Sequence, residues 1–368
     1  MLVYIIGLLS SLCLALFCYE KTPSSRIVIS RGELEIRDTY RKFNFLCLLP
    51  LLPFLLISGF RYGIGTDYFY TYVPEIDSIL SGGEGFKEPF VNLLIKFSGL
   101  FTSSPTPFFF FTSFIYLIFV FLSINKYSKN PIMSILIFFL SMVFFIQMNN
   151  IRQSVAASII LYSFSSLKDN KHLKFFLLII LSGLFHNSGF LFILVYFIYH
   201  MKFVKKHFLF FSFILALSIP FLGRLFILIM SSTSYRYFLM SYLTNEETTW
   251  GYILYNLVIF IISYLVLRKD IKMNNVSFLL LLIQLISTVI PILSFVIPSS
   301  EFVTRLDLPF VTFQMILIPH LIYKSKKGTF KVGISLLCIL LFSFITYYYI
   351  VKQGYHGVLP YKDIFGWF

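Results

Sequence analysis

Apolar runs of about 17–20 residues recur along the whole chain, separated by short polar stretches. A hydrocarbon core about 30 Å thick takes roughly 20 helical residues to cross. On that measure the pattern predicts spans near 2–18, 43–60, 107–124, 131–148, 150–167, 172–185, 187–200, 208–223, 251–267, 276–297, 306–323 and 332–350. The expected class is an all-α polytopic integral membrane protein of about 12 transmembrane helices, in a range of roughly 10–14. Segment 89–103 is short and carries Lys96, so it reads as an amphipathic or re-entrant helix inside an external stretch, 61–106. Residues 231–250 form a second external loop. Neither an internal repeat nor a low-complexity linker interrupts the pattern, and 1–368 reads as a single transmembrane domain.

Composition agrees, at 58% hydrophobic, 20% aromatic and 12% charged residues, and excludes a soluble domain. The net charge of +14 would point to nucleic acid in a soluble protein. Here its distribution reports topology, and no nucleic-acid partner is expected. Of 30 Lys and Arg residues, 21 fall in the alternating loops 19–42, 125–130, 168–174, 201–207, 268–275 and 324–331. The positive-inside tendency makes those loops cytoplasmic and puts both termini outside. No basic residue precedes the first apolar run, so 2–18 reads as a span rather than a cleaved leader. Cys13, Cys18, Cys47 and Cys338 lie in apolar runs without metal-ligand spacing and read as packing residues.

The remaining loops hold nine basic residues, five of them Arg, against ten Asp and Glu. Lysine suffices for topology, whereas a planar guanidinium suits phosphate or carboxylate. Those loops therefore carry a candidate site. In Arg61–Tyr72 (RYGIGTDYFYTY), Gly63 and Gly65 permit tight turns beside Arg61, Asp67 and four tyrosines. At Asn149–Ser154, Asn150, Arg152 and Gln153 stand at a helix start, where the positive dipole end and the desolvated guanidinium favour an anion. His186-Asn187-Ser188 is a second polar turn, whose imidazole can serve as base or as phosphate donor. Glu88 stands before Pro89, as a helix-start carboxylate or a general base. Glu301, Arg305 and Asp307 open a late span, where they can form an ion pair. HExxH, DxD, P-loop and GxSxG motifs are absent, which argues against nucleotide- or zinc-driven chemistry. No metal or cofactor is expected.

Taken in order, Arg61-Tyr-Gly-x-Gly-x-Asp67-Tyr, Glu88-Pro89, Asn150-x-Arg152-Gln153, His186-x-Ser188, Arg305 and Leu359-Pro360-Tyr361 resemble the EpsG-like branch of the Wzy polysaccharide polymerases. The resemblance runs from about residue 43 to the C-terminus. It implies a glycosyltransferase of GT-C and O-antigen-ligase-like architecture in the bacterial cytoplasmic membrane, working on the outer face. Undecaprenyl-diphosphate-linked oligosaccharide would be both donor and acceptor, with membrane lipid around it and a flippase and a chain-length regulator as partners. Arg152 and Arg305, supported by Arg61 and Gln153, would hold the diphosphate. Asp67, Glu88 and His186 compete as the base. Gly65, Tyr68, Tyr72, Asn150, Ser188 and Glu301 would contact substrate, and Trp250, Glu246 and Glu247 would meet sugar. An O-antigen ligase would share this mechanism with another acceptor. A flippase or transporter would instead place charges mid-span, in matching halves.

Overall fold

A computed structural model of the chain describes residues 1–19, 25–30, 33–38, 44–231, 250–297, 299–325 and 328–367. Two compact units emerge: Met1–Arg26, Asp38–Phe192 and Gln314–Phe368 form the first, and Ile27–Arg37 with Ile193–Phe313 the second. The sequence stays apolar across the boundaries at 192 and 313, so no change of composition marks them.

The first unit contains α1 (Leu2–Cys18), α2 (Leu52–Gly59), α3 (Val73–Leu80), α4 (Pro89–Gly99), α5 (Thr106–Tyr127), α6 (Pro131–Leu140), α7 (Val143–Ile146), α8 (Ile151–Lys168) and α9 (His172–Phe185). The second is built from α10 (Ile193–His200), α11 (Lys202–Lys206), α12 (Phe208–Ser231), α13 (Trp250–Leu267), α14 (Asn275–Val289) and α15 (Ser300–Val311). The chain then completes the first unit with α16 (Gln314–Lys324) and α17 (Gly328–Thr346). Within the basic stretch 19–42, expected as a loop, β1 (Ser25–Ser30) pairs with β2 (Glu33–Asp38). The β-branched run Ile27-Val28-Ile29 explains why extended backbone is favoured there.

Helix α8 is the centre of the first unit, packed by α5 and α9 and buried on nearly every side. Ser154, Ala156, Ala157 and Ser158 keep its surface narrow, which lets neighbouring backbones approach. The Ser182 hydroxyl of α9 donates to the Ala156 carbonyl at 3.0 Å, while Ser158 and Ser163 bond back into their own helix. The second unit has its own core, in which Ile297, Phe302 and Val303 pack with Phe226, Ile227 and Leu293.

Among the described residues, five helices are long and apolar enough to cross a bilayer, or six if Glu301–Val311 and Gln314–Lys324 count as one broken span. This is a multi-pass membrane protein, but the expected twelve full-length spans are not what the helix lengths show. Five further apolar helices have only 10–17 residues: Leu2–Cys18, Phe45–Gly59, Pro131–Leu140, His172–Phe185 and Asn187–His200. Backbone breaks account for part of the shortfall. The run 43–60 begins as a tight 3-10 turn, Phe45–Leu51, with Pro50 inside it. The run 131–148 is cut where Met142 adopts φ 64°, a left-handed conformation that costs an L-residue about 1–2 kcal/mol. That break separates α6 from α7 and leads into the turn that starts α8. Helix α4 has 11 residues and is about 16 Å long, too short to span.

Candidate functional site

The start of α8 gathers five segments that are remote in sequence. The first is the glycine loop. Gly65 takes φ 102°, and a Cβ there would lie 2.5 Å from the Met148 carbonyl oxygen, so only glycine lets the loop press on the turn before α8. The contact places Asn149 under the loop. Its Oδ1 accepts from the Asp67 backbone N–H and from the Thr66 hydroxyl, both at 2.9 Å. A backbone N–H can only donate, which identifies that amide atom as oxygen. The amide nitrogen therefore faces the other way, 3.1 Å from His356 Nδ1 and 3.3 Å from Asn150 Oδ1.

His356 belongs to the C-terminal tail, which clasps the glycine loop. Gly65 N–H donates to the Gly357 carbonyl and Thr66 N–H to the His356 carbonyl, each at 3.2 Å. Further along, Tyr62 N–H donates to the Lys362 carbonyl at 3.0 Å, and Arg61 pairs with Asp363 in an antiparallel bridge.

Arg152, on the first turn of α8, donates from Nη1 to Glu88 Oε2 at 2.7 Å and lies 4.2 Å from the centre of the Phe86 ring. The Tyr72 hydroxyl is a further electrostatic neighbour. One edge of the guanidinium is thus held by a buried carboxylate and one face by an aromatic ring. The side chain keeps 25% of its surface open. Next along α8, Gln153 Nε2 lies 3.4 Å from Ser188 Oγ, which stands 2.7 Å from His186 Nδ1. The Ser188 backbone N–H also donates to His186 Nδ1, at 3.2 Å. Because that nitrogen accepts from an amide, the neutral ring carries its proton on Nε2.

Arg61 has a different setting. Its side chain is wholly buried, donating to the Ser58 carbonyl at the end of α2 and lying 3.4 Å from Ser113 Oγ and 4.7 Å from the Phe109 ring centre. Among the described residues its Nε and Nη2 have no hydrogen-bond partner. Burial lowers its pKa to about 10, against nearby tyrosines that raise it, so it remains a cation at neutral pH. Tyr68 stacks on Phe109 at 4.4 Å, and both Tyr68 and Tyr72 are buried, with phenol pKa values raised by desolvation. The aromatic rings of this stretch that reach the surface are Tyr62, Phe69 and Tyr70, the last 89% exposed. Tyr68 and Tyr72, expected to contact substrate, have almost no open surface.

The remaining expected residues belong to the second unit. Glu301 and Arg305 form a partly exposed i,i+4 ion pair on α15. Asp307, next to them in sequence, turns inward. It is wholly buried, accepting from the Tyr252 hydroxyl at 2.6 Å and the Ser287 hydroxyl at 2.9 Å. Trp250 is exposed and meets Phe295 edge-on at 5.0 Å. Arg236, Glu246 and Glu247 lie outside the described residues, as does most of the loop 231–250. Among the described residues, no group of three His, Cys, Asp or Glu side chains is arranged to hold a metal ion.

Asn149 and His356 are the contributors that the sequence alone did not single out. Asn149 sits inside the Asn149–Ser154 stretch, but nothing local distinguishes it from Asn150. His356 lies more than 200 residues from its partner. Against this geometry, the EpsG family model matches residues 44–362, a range that contains all five segments. No curated protein and no solved structure matches the chain.

Proposed function

The chain belongs to the EpsG family, a Wzy-like polysaccharide polymerase family with a role in exopolysaccharide or O-antigen synthesis, and on that premise we propose a specific reaction for it. The growing glycan is transferred from its undecaprenyl diphosphate to the non-reducing-end sugar of a fresh lipid-linked repeat unit, on the outer face of the bacterial cytoplasmic membrane. The acceptor hydroxyl attacks the anomeric carbon, the bond from that carbon to the diphosphate oxygen breaks, and the hydroxyl proton passes to a base. Lipid diphosphate leaves with the bonding electron pair. The basic residues of the alternating loops support the choice of face.

The observation that carries this reading is the half-open Arg152, held by Glu88 and Phe86 at the start of α8 beside the pinned Asp67 loop. Negative charge develops on the leaving diphosphate, and a guanidinium already fixed in a water-poor place stabilises it without reorganisation. Among the three candidate bases we favour Asp67. In its neutral form His186 carries its proton on Nε2 and donates, and a phosphate oxygen suits it as acceptor. Glu88 is committed to Arg152 and buried. Asp67 is proposed as the base because it is intermediate in exposure and its backbone is anchored beside Arg152 at the start of α8. Gln153 and Ser188 hold His186, and Asn150 contributes to the Asn149 network. Arg61 supports the loop from beneath. Arg305, paired with Glu301 in the second unit, is proposed as a further ligand of the diphosphate.

Deleting the gene and resolving the surface glycan on a gel tests the reading, with wild type and Arg152→Ala as complementing copies. Single repeat units in place of a ladder, rescued by wild type alone, are expected. Free polymer that fails to attach would mean a ligase, and loss of all surface glycan would mean transport of the lipid-linked unit.

A further inference from the structure

The C-terminal tail enters this site through one side chain, and the atoms it uses fix what that side chain does. His356 adopts φ 65°, outside the conformations that a β-carbon favours, in a backbone pinned on both sides by the carbonyls that receive Gly65 and Thr66. Its ring is 9% exposed and faces Asn149 Nδ2, which can only donate, so Nδ1 is the acceptor. The same Asn149 amide, turned the other way by that bond, presents Oδ1 to the Thr66 hydroxyl and the Asp67 N–H. An asparagine amide has two faces of opposite polarity. The groups that accept from its nitrogen, here His356 Nδ1 at 3.1 Å and the more distant Asn150 Oδ1 at 3.3 Å, decide where its oxygen points.

We propose that His356 is a positioning residue of the polymerase site: by accepting from Asn149 at Nδ1 it orients the amide that holds the Asp67 backbone, so the chain's last segment sets its first catalytic loop. Nothing in the local sequence of either segment encodes this link, because the partners are 207 residues apart. The inference rests on the reading of Asp67 as a residue of the site, while the coupling itself is independent of what Asp67 does chemically.

Three substitutions separate backbone from acceptor. His356→Gly suits φ 65° but removes the acceptor. His356→Asn tolerates that φ and puts an amide oxygen close to where Nδ1 sits. His356→Gln carries its oxygen one bond further, near Nε2. Each full-length variant is purified in detergent, hydrogen–deuterium exchange is followed at the Asp67 amide, and polymer is measured in the deletion strain at matched membrane levels. The expected result is a rise of about tenfold in exchange and a fall of about tenfold in polymer for His356→Gly, the loss of one net hydrogen bond. His356→Asn restores both, and His356→Gln restores neither. Wild-type exchange at Asp67 in His356→Gly overturns the inference whatever the polymer does. Raised exchange there, restored by His356→Asn, supports it even if Asp67→Asn still makes polymer, in which case the assignment of Asp67 as base is what fails.

Discussion

Arg61 and Arg152 are carried by the same family-like pattern and expected at the same diphosphate, yet the first unit treats them in opposite ways. Arg152 has a carboxylate on one edge, a ring against one face and a quarter of its surface open. Arg61 has a carbonyl, a hydroxyl and a ring, and no open surface. A buried cation is held by whatever dipoles surround it, and removing it leaves a hole and an unpaired carbonyl. A half-open cation that is already oriented keeps donors in reserve for an incoming anion. The contrast separates a sealed guanidinium from one still open to an incoming anion.

The comparison breaks first at Arg152. Arg152→Ala is expected to lower polymer about 100- to 1,000-fold at unchanged membrane level, the loss typical of a fixed donor to developing charge. Arg152→Lys restores little of it, because an ammonium cannot serve Glu88, the Phe86 face and a phosphate together. Wild-type ladders from either variant would remove Arg152 from the site. Arg61→Ala should act through folding instead. A loss on the order of 3 kcal/mol is expected, seen as a lower thermal midpoint of the solubilised protein and less protein in the membrane. Unchanged stability with abolished polymer would put Arg61 with Arg152 after all.

Gly65→Ala sharpens the comparison from the loop side. Its methyl would meet the Met148 carbonyl at 2.5 Å as well as strain φ 102°, and polymer is expected to fall by about tenfold or more. Gly82→Ala is the control, since its φ of 87° is also positive but nothing lies within 4 Å. It should lose only the backbone strain, about 1 kcal/mol of stability, with polymer per molecule retained. Asp307→Asn is likewise expected to act on stability more than on polymer. This carboxyl is sealed among Tyr252 and Ser287 in the second unit. A stability change of about 1–2 kcal/mol with polymer per molecule within threefold of wild type is expected. A specific loss of polymer would make that buried network part of the reaction.

Much of the candidate site is legible in the sequence, because polar residues at the ends of apolar runs stand out against a background that is 58% hydrophobic. Arg152, Gln153, Glu88, His186 and Ser188 all stand out on that basis, and they meet at the start of α8. The aromatic stretch was less legible. Tyr68 and Tyr72 look the same as Tyr62 and Tyr70 in sequence, but the irregular turn through 68–72 sends Tyr68 and Tyr72 inward and Phe69 and Tyr70 outward. The span count suffered for a related reason. Hydropathy adds up residues along a window and is blind to a proline turn or to one left-handed residue such as Met142 that cuts the helix.

Sequence alone therefore determined that this is a multi-pass membrane protein, and the order of its polar motifs anticipated the EpsG family that the family match then showed. Both follow from sums and spacings, which survive without knowledge of contacts. The tertiary structure decided which arginine is sealed and which is half open, which nitrogen of His186 holds the proton, and that the tail closes on the glycine loop. Each of those depends on a hydrogen-bond partner brought from a distant part of the chain, and directional bonds between remote groups leave no trace in local composition.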